Sequence, residues 1–249
     1  MTEFFTANQN LLWLVSLAFD LTMTLILFRL YGRYGLYGAV VLGIVLANIQ
    51  GPKLTMIFGV QTSLGVILYS GIYFATDLLS ERYGKADANR AVRLGFVISI
   101  MVVVMMSIGL MFQPSTDPRT AEFAASVHAA FVTLVDFTPR FVAGSLFAYI
   151  VSQSCDVWVF HYIKRKTNGR HLWLRNNVST MVAQAIDTAL YSLVVWWGIV
   201  DLVTAIELGL AKYAFKVFIA AFDTPFIYWA RNWKLPDEKT SNRESLAPA

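Results

Sequence analysis

Long apolar stretches recur along the chain, each broken by only a few polar positions and separated from the next by a short polar segment. Seven runs stand out: Leu11 to Tyr31, Leu36 to Gln50, Leu64 to Leu79, Ala91 to Phe112, Phe141 to Ile163, Val178 to Val200 and Leu202 to Ala230. Such blocks match the roughly 17 to 25 residues that a helix needs to cross about 30 Å of hydrocarbon. The pattern predicts an all-α integral membrane protein. No basic residue precedes the first run, which is too long for a signal-peptide core and lacks a small-residue cleavage pattern after it, so it reads as a retained span. Gly51-Pro52 ends the second run, because proline has no amide proton and clashes with the preceding turn. Lys53 to Gly59 then reads as an external connector or a short re-entrant turn. Gln113 to Thr138, holding His128 and Asp136, is the one long external connection and is predicted to carry a surface helix. From Lys234 onward the polar sequence predicts a disordered tail.

Composition agrees with the pattern. Of the 249 residues 57% are hydrophobic and 14% charged, with a mean hydropathy of +0.55, which excludes an ordinary water-soluble domain. The net charge of +4 comes from basic residues in short runs between the apolar blocks, an arrangement that sets topology rather than one that binds nucleic acid. With the N-terminus outside, 15 of the 20 basic residues fall on the cytoplasmic side: Arg29 and Arg33; Arg82, Lys85, Arg90 and Arg93; Lys164, Arg165, Lys166, Arg170 and Arg175; Arg231, Lys234, Lys239 and Arg243. Lys53, Arg119 and Arg140 fall outside, and Lys212 and Lys216 lie within the last span. Short cytoplasmic loops collect lysine and arginine, so this split predicts a multi-pass cytoplasmic-membrane protein with its C-terminus inside. The single cysteine, Cys155, cannot form an internal disulfide, and no Cys/His cluster has metal-ligand spacing. No Gly-x-x-x-x-Gly-Lys-Ser/Thr run and no nucleophile arrangement occurs, so neither a cofactor nor an enzyme is expected.

Ionisable residues within the spans carry the chemistry. Each costs about 2.5 to 3.5 kcal/mol near a helix centre on insertion scales and needs a compensating role. Two spans repeat one spacing: Gln153, Asp156 and Phe160 in the fifth, Gln184, Asp187 and Tyr191 in the sixth. Positions i, i+3 and i+7 share a helix face, so each helix presents an amide, a carboxylate and an aromatic ring in a column. A carboxylate accepts paired N–H bonds, an amide both donates and accepts, and a ring stacks, which together suit a planar nitrogen heterocycle. The plainer alternative is an interhelical polar seam. Lys216, midway along the last span, is expected to pair with Asp187 or Asp156, either as a fixed salt bridge or as a counter-ion that a ligand displaces. Lys212 is placed nearer the outer interface, and Asp223, Glu207, His161 and His171 near enough to an interface to be solvated. Asp20 has no basic partner nearby in sequence. Asp77 and Glu81 share a helix face at the inner end of the third span, and Asn48 precedes the Gly51-Pro52 break.

Ala47-Asn48-Ile49 with Lys53, Thr76-Asp77-Leu78-Leu79-Ser80-Glu81-Arg82-Tyr83-Gly84-Lys85, Ser152-Gln153 with Asp156-Val157 and Phe160-His161, and Gln184 with Asp187-Thr188 and Phe215-Lys216-Val217 resemble the queuosine precursor transporter family, also called vitamin uptake transporters. The resemblance spans about residues 36 to 230. It implies a carrier importing 7-deazaguanine bases, with six core helices arranged like the substrate-binding subunits of energy-coupling-factor importers. Residues 36–233 would form that core, 1–35 an added N-terminal helix and 234–249 the tail. It nominates Asn48, Asp77, Glu81, Gln153, Asp156, Gln184, Asp187 and Lys216; the helical columns add Phe160, Tyr191 or a tryptophan such as Trp158 as the stacking ring. Tyr69-Ser70 departs from the family, where proline often follows the tyrosine. A homodimer and a separate ATPase partner are both compatible with the resemblance, and proton coupling or facilitated flux are equally open.

Overall fold

A computed structural model describes residue 4 and residues 7–51, 53–135, 139–196 and 201–235; Pro52, Asp136 and the expected tail from 236 onward lie outside them. The described residues form eight helices and one hairpin: α1 (Gln9–Tyr31), α2 (Arg33–Gln50), β1 (Leu54–Ile57), β2 (Val60–Ser63), α3 (Gly65–Arg82), α4 (Lys85–Met111), α5 (Ala121–Val135), α6 (Pro139–Lys166), α7 (Leu172–Tyr191) and α8 (Leu202–Ala230). α7 runs on into a π-helical turn over Ser192–Trp196. The last run and α8 share their bounds. α4 and α7 begin six residues before their apolar runs, at Lys85 and Leu172, and α6 begins two residues before its own, at Pro139. α5 supplies the helix expected in the external connection.

The segment after α2 is a hairpin rather than an irregular connector. β1 and β2 pair antiparallel with Ile57 opposite Val60, and the two residues between, Phe58 and Gly59, have φ of 50° and 76°. Two successive positive φ values are what a two-residue hairpin turn of the right twist demands. Phe58 tolerates the strain because its amide donates to Asn10 Oδ1 at 2.7 Å and its ring meets Trp13 edge-on. The hairpin thereby clasps the N-terminal end of α1.

One apolar core joins all of this. Trp13, Leu17, Leu21, Leu25 and Phe28 of α1 pack with Leu36, Val40 and Ile44 of α2, Ile72, Phe74, Leu78 and Leu79 of α3, and Ile219 and Ile227 of α8. α3 is buried on every side from Gly65 to Ser80 except Tyr69, and so forms the axis of the bundle. α6 and α7 pack along their length, with α8 against α7 and α3. α1 and α4 are long and apolar enough to cross a membrane, with mean hydropathy 2.1 and 2.5. α4 buries little of itself and shows Val97, Met101, Val104, Met105 and Ile108 to its surroundings, the surface a lipid-facing helix needs. The polar residues of α3, α6, α7 and α8 instead point at one another.

Candidate functional site

The expected columns on α6 and α7 face each other. Gln153, Asp156 and Phe160 are fully buried, and so is Gln184. Ser152 Oγ of α6 donates to Asp187 Oδ1 of α7 at 3.3 Å, while Thr180 Oγ1 of α7 lies 3.5 Å from Asp156 Oδ1 of α6. Both acids therefore turn into the seam between two antiparallel helices. Their surroundings differ.

Asp187 is charge-compensated. Lys216 Nζ of α8 bonds its Oδ2 at 2.5 Å, and the lysine is only 2% exposed. Ser152, which holds the other oxygen, is in turn bonded by Tyr73 OH of α3 at 2.9 Å. Lys212 does not reach this aspartate; its ammonium stands 4.0 Å from the centre of the Tyr191 ring.

Asp77 and Asp156 have no such cation. Thr180 Oγ1 stands 3.1 Å from Asp77 Oδ2 and 3.5 Å from Asp156 Oδ1, so one hydroxyl proton lies between two acids. End to end those two legs put the oxygens at most about 6.6 Å apart. Two ionised carboxylates no farther apart than that repel by at least about 2.5 kcal/mol even at an effective dielectric near 20. Around them is a set of buried polar atoms without a hydrogen-bond partner: Asp77 Oδ1, Asp156 Oδ2, Asn176 Oδ1 and Gln184 Oε1 as acceptors, and Gln153 Nε2 as donor. Gln153 is held by its other end, with Thr76 Oγ1 3.3 Å from Oε1. Asn176 is also anchored, its Nδ2 donating to Asp223 Oδ1 at 3.3 Å. Unpaired buried polar atoms are costly, and this set, to which the Ser80 and Thr188 hydroxyls of α3 and α7 also belong, is mostly acceptors and suits a flat molecule rich in N–H groups.

Glu81 belongs to a different assembly. Arg175 Nη2 meets both of its oxygens at 2.6 Å, and Lys164 Nζ meets Oε2 at 3.0 Å. Arg175 is 1% exposed, and its Nη1 also donates to the carbonyl oxygens of Gly169 and Arg170 at 3.0 Å. Glu81 lies one helical turn, about 6 Å, from Asp77 toward the basic end of the bundle. Burial alone would push its carboxyl up, but the bonds and charges of Arg175 and Lys164 outweigh that and hold it below 4.5. Phe160 lies in this latch, with the Arg175 guanidinium 5.6 Å and the Lys164 ammonium 6.0 Å from its ring centre.

Of the ten residues singled out in the sequence, Asp77, Gln153, Asp156 and Gln184 come together. Asp187, Lys216 and Tyr191 with Lys212 form a neighbouring group, and Glu81 and Phe160 the latch. Asn48 joins none of them; its Nδ2 bonds Ile44 O within its own helix at 2.9 Å. Asp223 is a correction: it is buried rather than solvated, because its short side chain cannot reach the interface from seven residues inside α8 and Asn176 meets it instead. Trp158 is exposed and stacks on Tyr162, away from the seam. Thr180, Thr76, Ser152, Asn176 and Arg175 were not singled out. Thr180 and Asn176 continue the Gln184 and Asp187 stripe at helical spacing, which was the available signal.

Residues 63–230 match the family described as "Putative vitamin uptake transporter". The chain belongs to the vitamin uptake transporter family. The transporter is 33% identical over 234 residues to the "Probable queuosine precursor transporter" of Bacillus subtilis, covering 94% of this chain and 99% of that one. It is 27% identical over 167 residues to the "Queuosine precursor transporter" of Escherichia coli, covering 66% of this chain and 70% of that one. A similar protein of Haemophilus influenzae is 25% identical over 166 residues, 65% of each chain. No solved structure matches. Family membership and the apolar helices together make this an all-α membrane protein.

Proposed function

We propose that this transporter imports 7-deazaguanine bases, the precursors of queuosine, and that Asp77, Asp156, Gln153 and Gln184 read the base. The observation that carries the reading is the predominance of unpaired acceptors around the acid pair, Asp77 Oδ1, Asp156 Oδ2, Asn176 Oδ1 and Gln184 Oε1. A 7-deazaguanine offers N–H groups along its pyrimidine edge and at its five-membered ring, with a carbonyl for the amide donor of Gln153. A carboxylate accepts the paired N–H edge with both oxygens, and in Asp77 and Asp156 one oxygen is unpartnered while the other, facing the Thr180 hydroxyl, keeps a second lone pair. The names of the relatives support the same cargo. Tyr73, buried one turn before Asp77, supplies a planar wall in place of Phe160.

Asp187 and Lys216 brace the outer flank of this site, and the Glu81, Arg175 and Lys164 latch closes its inner flank. The six helices α2, α3, α4, α6, α7 and α8, arranged like an energy-coupling-factor substrate subunit, form the carrier core, with α1 added and the N-terminus outside. The chain acts as a carrier of small molecules within lipid, without nucleic acid and without chemistry on its cargo; a second copy or an ATPase subunit would add to that core rather than to the site. Uptake of labelled precursor by cells unable to make queuosine tests the reading. Expression of the chain should restore uptake, Asp77→Asn and Asp156→Asn should each abolish it at normal membrane levels, and uptake unchanged by both would refute it.

A further inference from the structure

Asp223 sits at the edge of the acid pair and has no place in reading the base. Among the described residues its carboxylate is met by Asn176 Nδ2, at 3.3 Å, and Asn176 lies one helical turn before Thr180, whose hydroxyl meets both Asp77 and Asp156. Asn176 is fully buried and turned toward Asp223, with its own Oδ1 unpartnered. Three carboxylates thus share one dry region with hydroxyl and amide donors.

The cations nearby are all committed elsewhere. On α7, Arg175 is held by Glu81; on α6, Lys164 is held by the same glutamate. On α8, Lys216 is bonded to Asp187 and Lys212 stands over Tyr191. On α1, Arg29 lies over Trp233, and Asp20 adds only a further acid, packed against Gly71 of α3. Among the described residues no three His, Cys, Asp or Glu side chains converge closely enough to hold a metal ion. A neutral base brings hydrogen-bond donors but no charge. Buried carboxylates without a cation are far too costly to persist.

We propose that Asp223, together with the Asp77–Asp156 pair, binds the proton that drives uptake, so that the transporter is a proton symporter. The proposal rests on the base-binding reading above and adds its energy source. A proton enters from the outer side with the base, is shared among the three carboxylates during transit, and leaves to the cytoplasm when the inner latch opens. The balanced Asp187–Lys216 pair takes no part.

The test uses the full chain in liposomes with labelled 7-deazaguanine, acid outside and alkaline inside. One proton per base allows accumulation of about tenfold over equilibrium for each pH unit. A pH dye inside the vesicles should report proton entry on addition of base to the wild-type chain, a readout that depends on no variant. Asp223→Asn, which mimics the protonated acid, should still bind the base and let it equilibrate but lose accumulation. Binding by the wild type without gradient-driven accumulation would overturn the proposal while sparing the base-binding reading. A sodium gradient driving accumulation in its place, or full accumulation by Asp223→Asn, would do the same. Failure of the wild type to bind any base would overturn both.

Discussion

Replacing Lys216 by Met removes one half of a buried ion pair and leaves the other in place. Lys216 is 2% exposed, its ammonium lies 2.5 Å from Asp187 Oδ2, and what remains for that carboxylate is the Ser152 hydroxyl at 3.3 Å and the more distant Lys212 ammonium. Breaking such a pair from one side costs about 3 to 5 kcal/mol, because an uncompensated charge is left in a dry interior. In a chain of this size each kcal/mol moves the unfolding midpoint by about 2 to 4 °C, so Lys216→Met should lower Tm by about 6 to 20 °C. Adding Asp187→Asn removes the stranded charge and should recover most of that loss, since buried pairs are often worth little against neutral groups of similar shape. Thermal unfolding in detergent, followed by tryptophan fluorescence, measures all four states of the cycle. A single variant that melts within about 2 °C of the wild type, or a double variant no more stable than the single, would refute the view that Asp187 and Lys216 form a fixed brace.

Glu81→Gln should remove an acid-sensitive share of stability. Since the carboxyl of Glu81 is held below 4.5, its contribution is fully present above that value and is lost as pH falls through the lower folded value. Melting curves of the wild type should therefore drop below about pH 4.5, and the variant should start lower and show a shallower drop; parallel curves would contradict the latch. Gly71→Ala places a Cβ 2.1 Å from Asp20 Oδ2 and should cost about 1 to 3 kcal/mol, with Asp20→Ala restoring the room. A Gly71→Ala chain as stable as the wild type would show that Asp20 is not packed there. Single cysteines in a Cys155→Ser background should react with an impermeant maleimide from outside at Ser115 and only from the cytoplasm at Asn168; the reverse pattern would invert the orientation.

The long helices were legible in the sequence because a run of apolar residues of that length has few alternatives to a helix, and α8 needed no adjustment at all. The α6 and α7 columns were legible for a similar reason: a carboxylate in an apolar helix must face a partner, and helical pitch says which neighbours share its face. The hairpin was not, since four residues on each side of Phe58-Gly59 give too short an alternation to stand out between two spans. The split of the acids was hidden too. Nothing in the spacing distinguishes Asp156 from Asp187; what separates them is Lys216, which could have met either, and Thr180, whose hydroxyl is inconspicuous in a helix of mixed polarity. Arg175 was assigned with the cytoplasmic cations, so its bond to Glu81 across the fold went unread. Asp223 reads as solvated from its distance to the helix end, because nothing in the spacing shows that Asn176 of α7 faces it.

Equilibrium binding of 7-deazaguanine to the purified chain tests the central claim most directly. The wild type should bind, and Asp77→Asn and Asp156→Asn should each weaken binding by about 10- to 100-fold, the worth of a hydrogen bond to a charged group. The Asp187→Asn/Lys216→Met double variant should bind close to the wild type. Equal binding by all four proteins, or loss only in the double variant, would contradict the account.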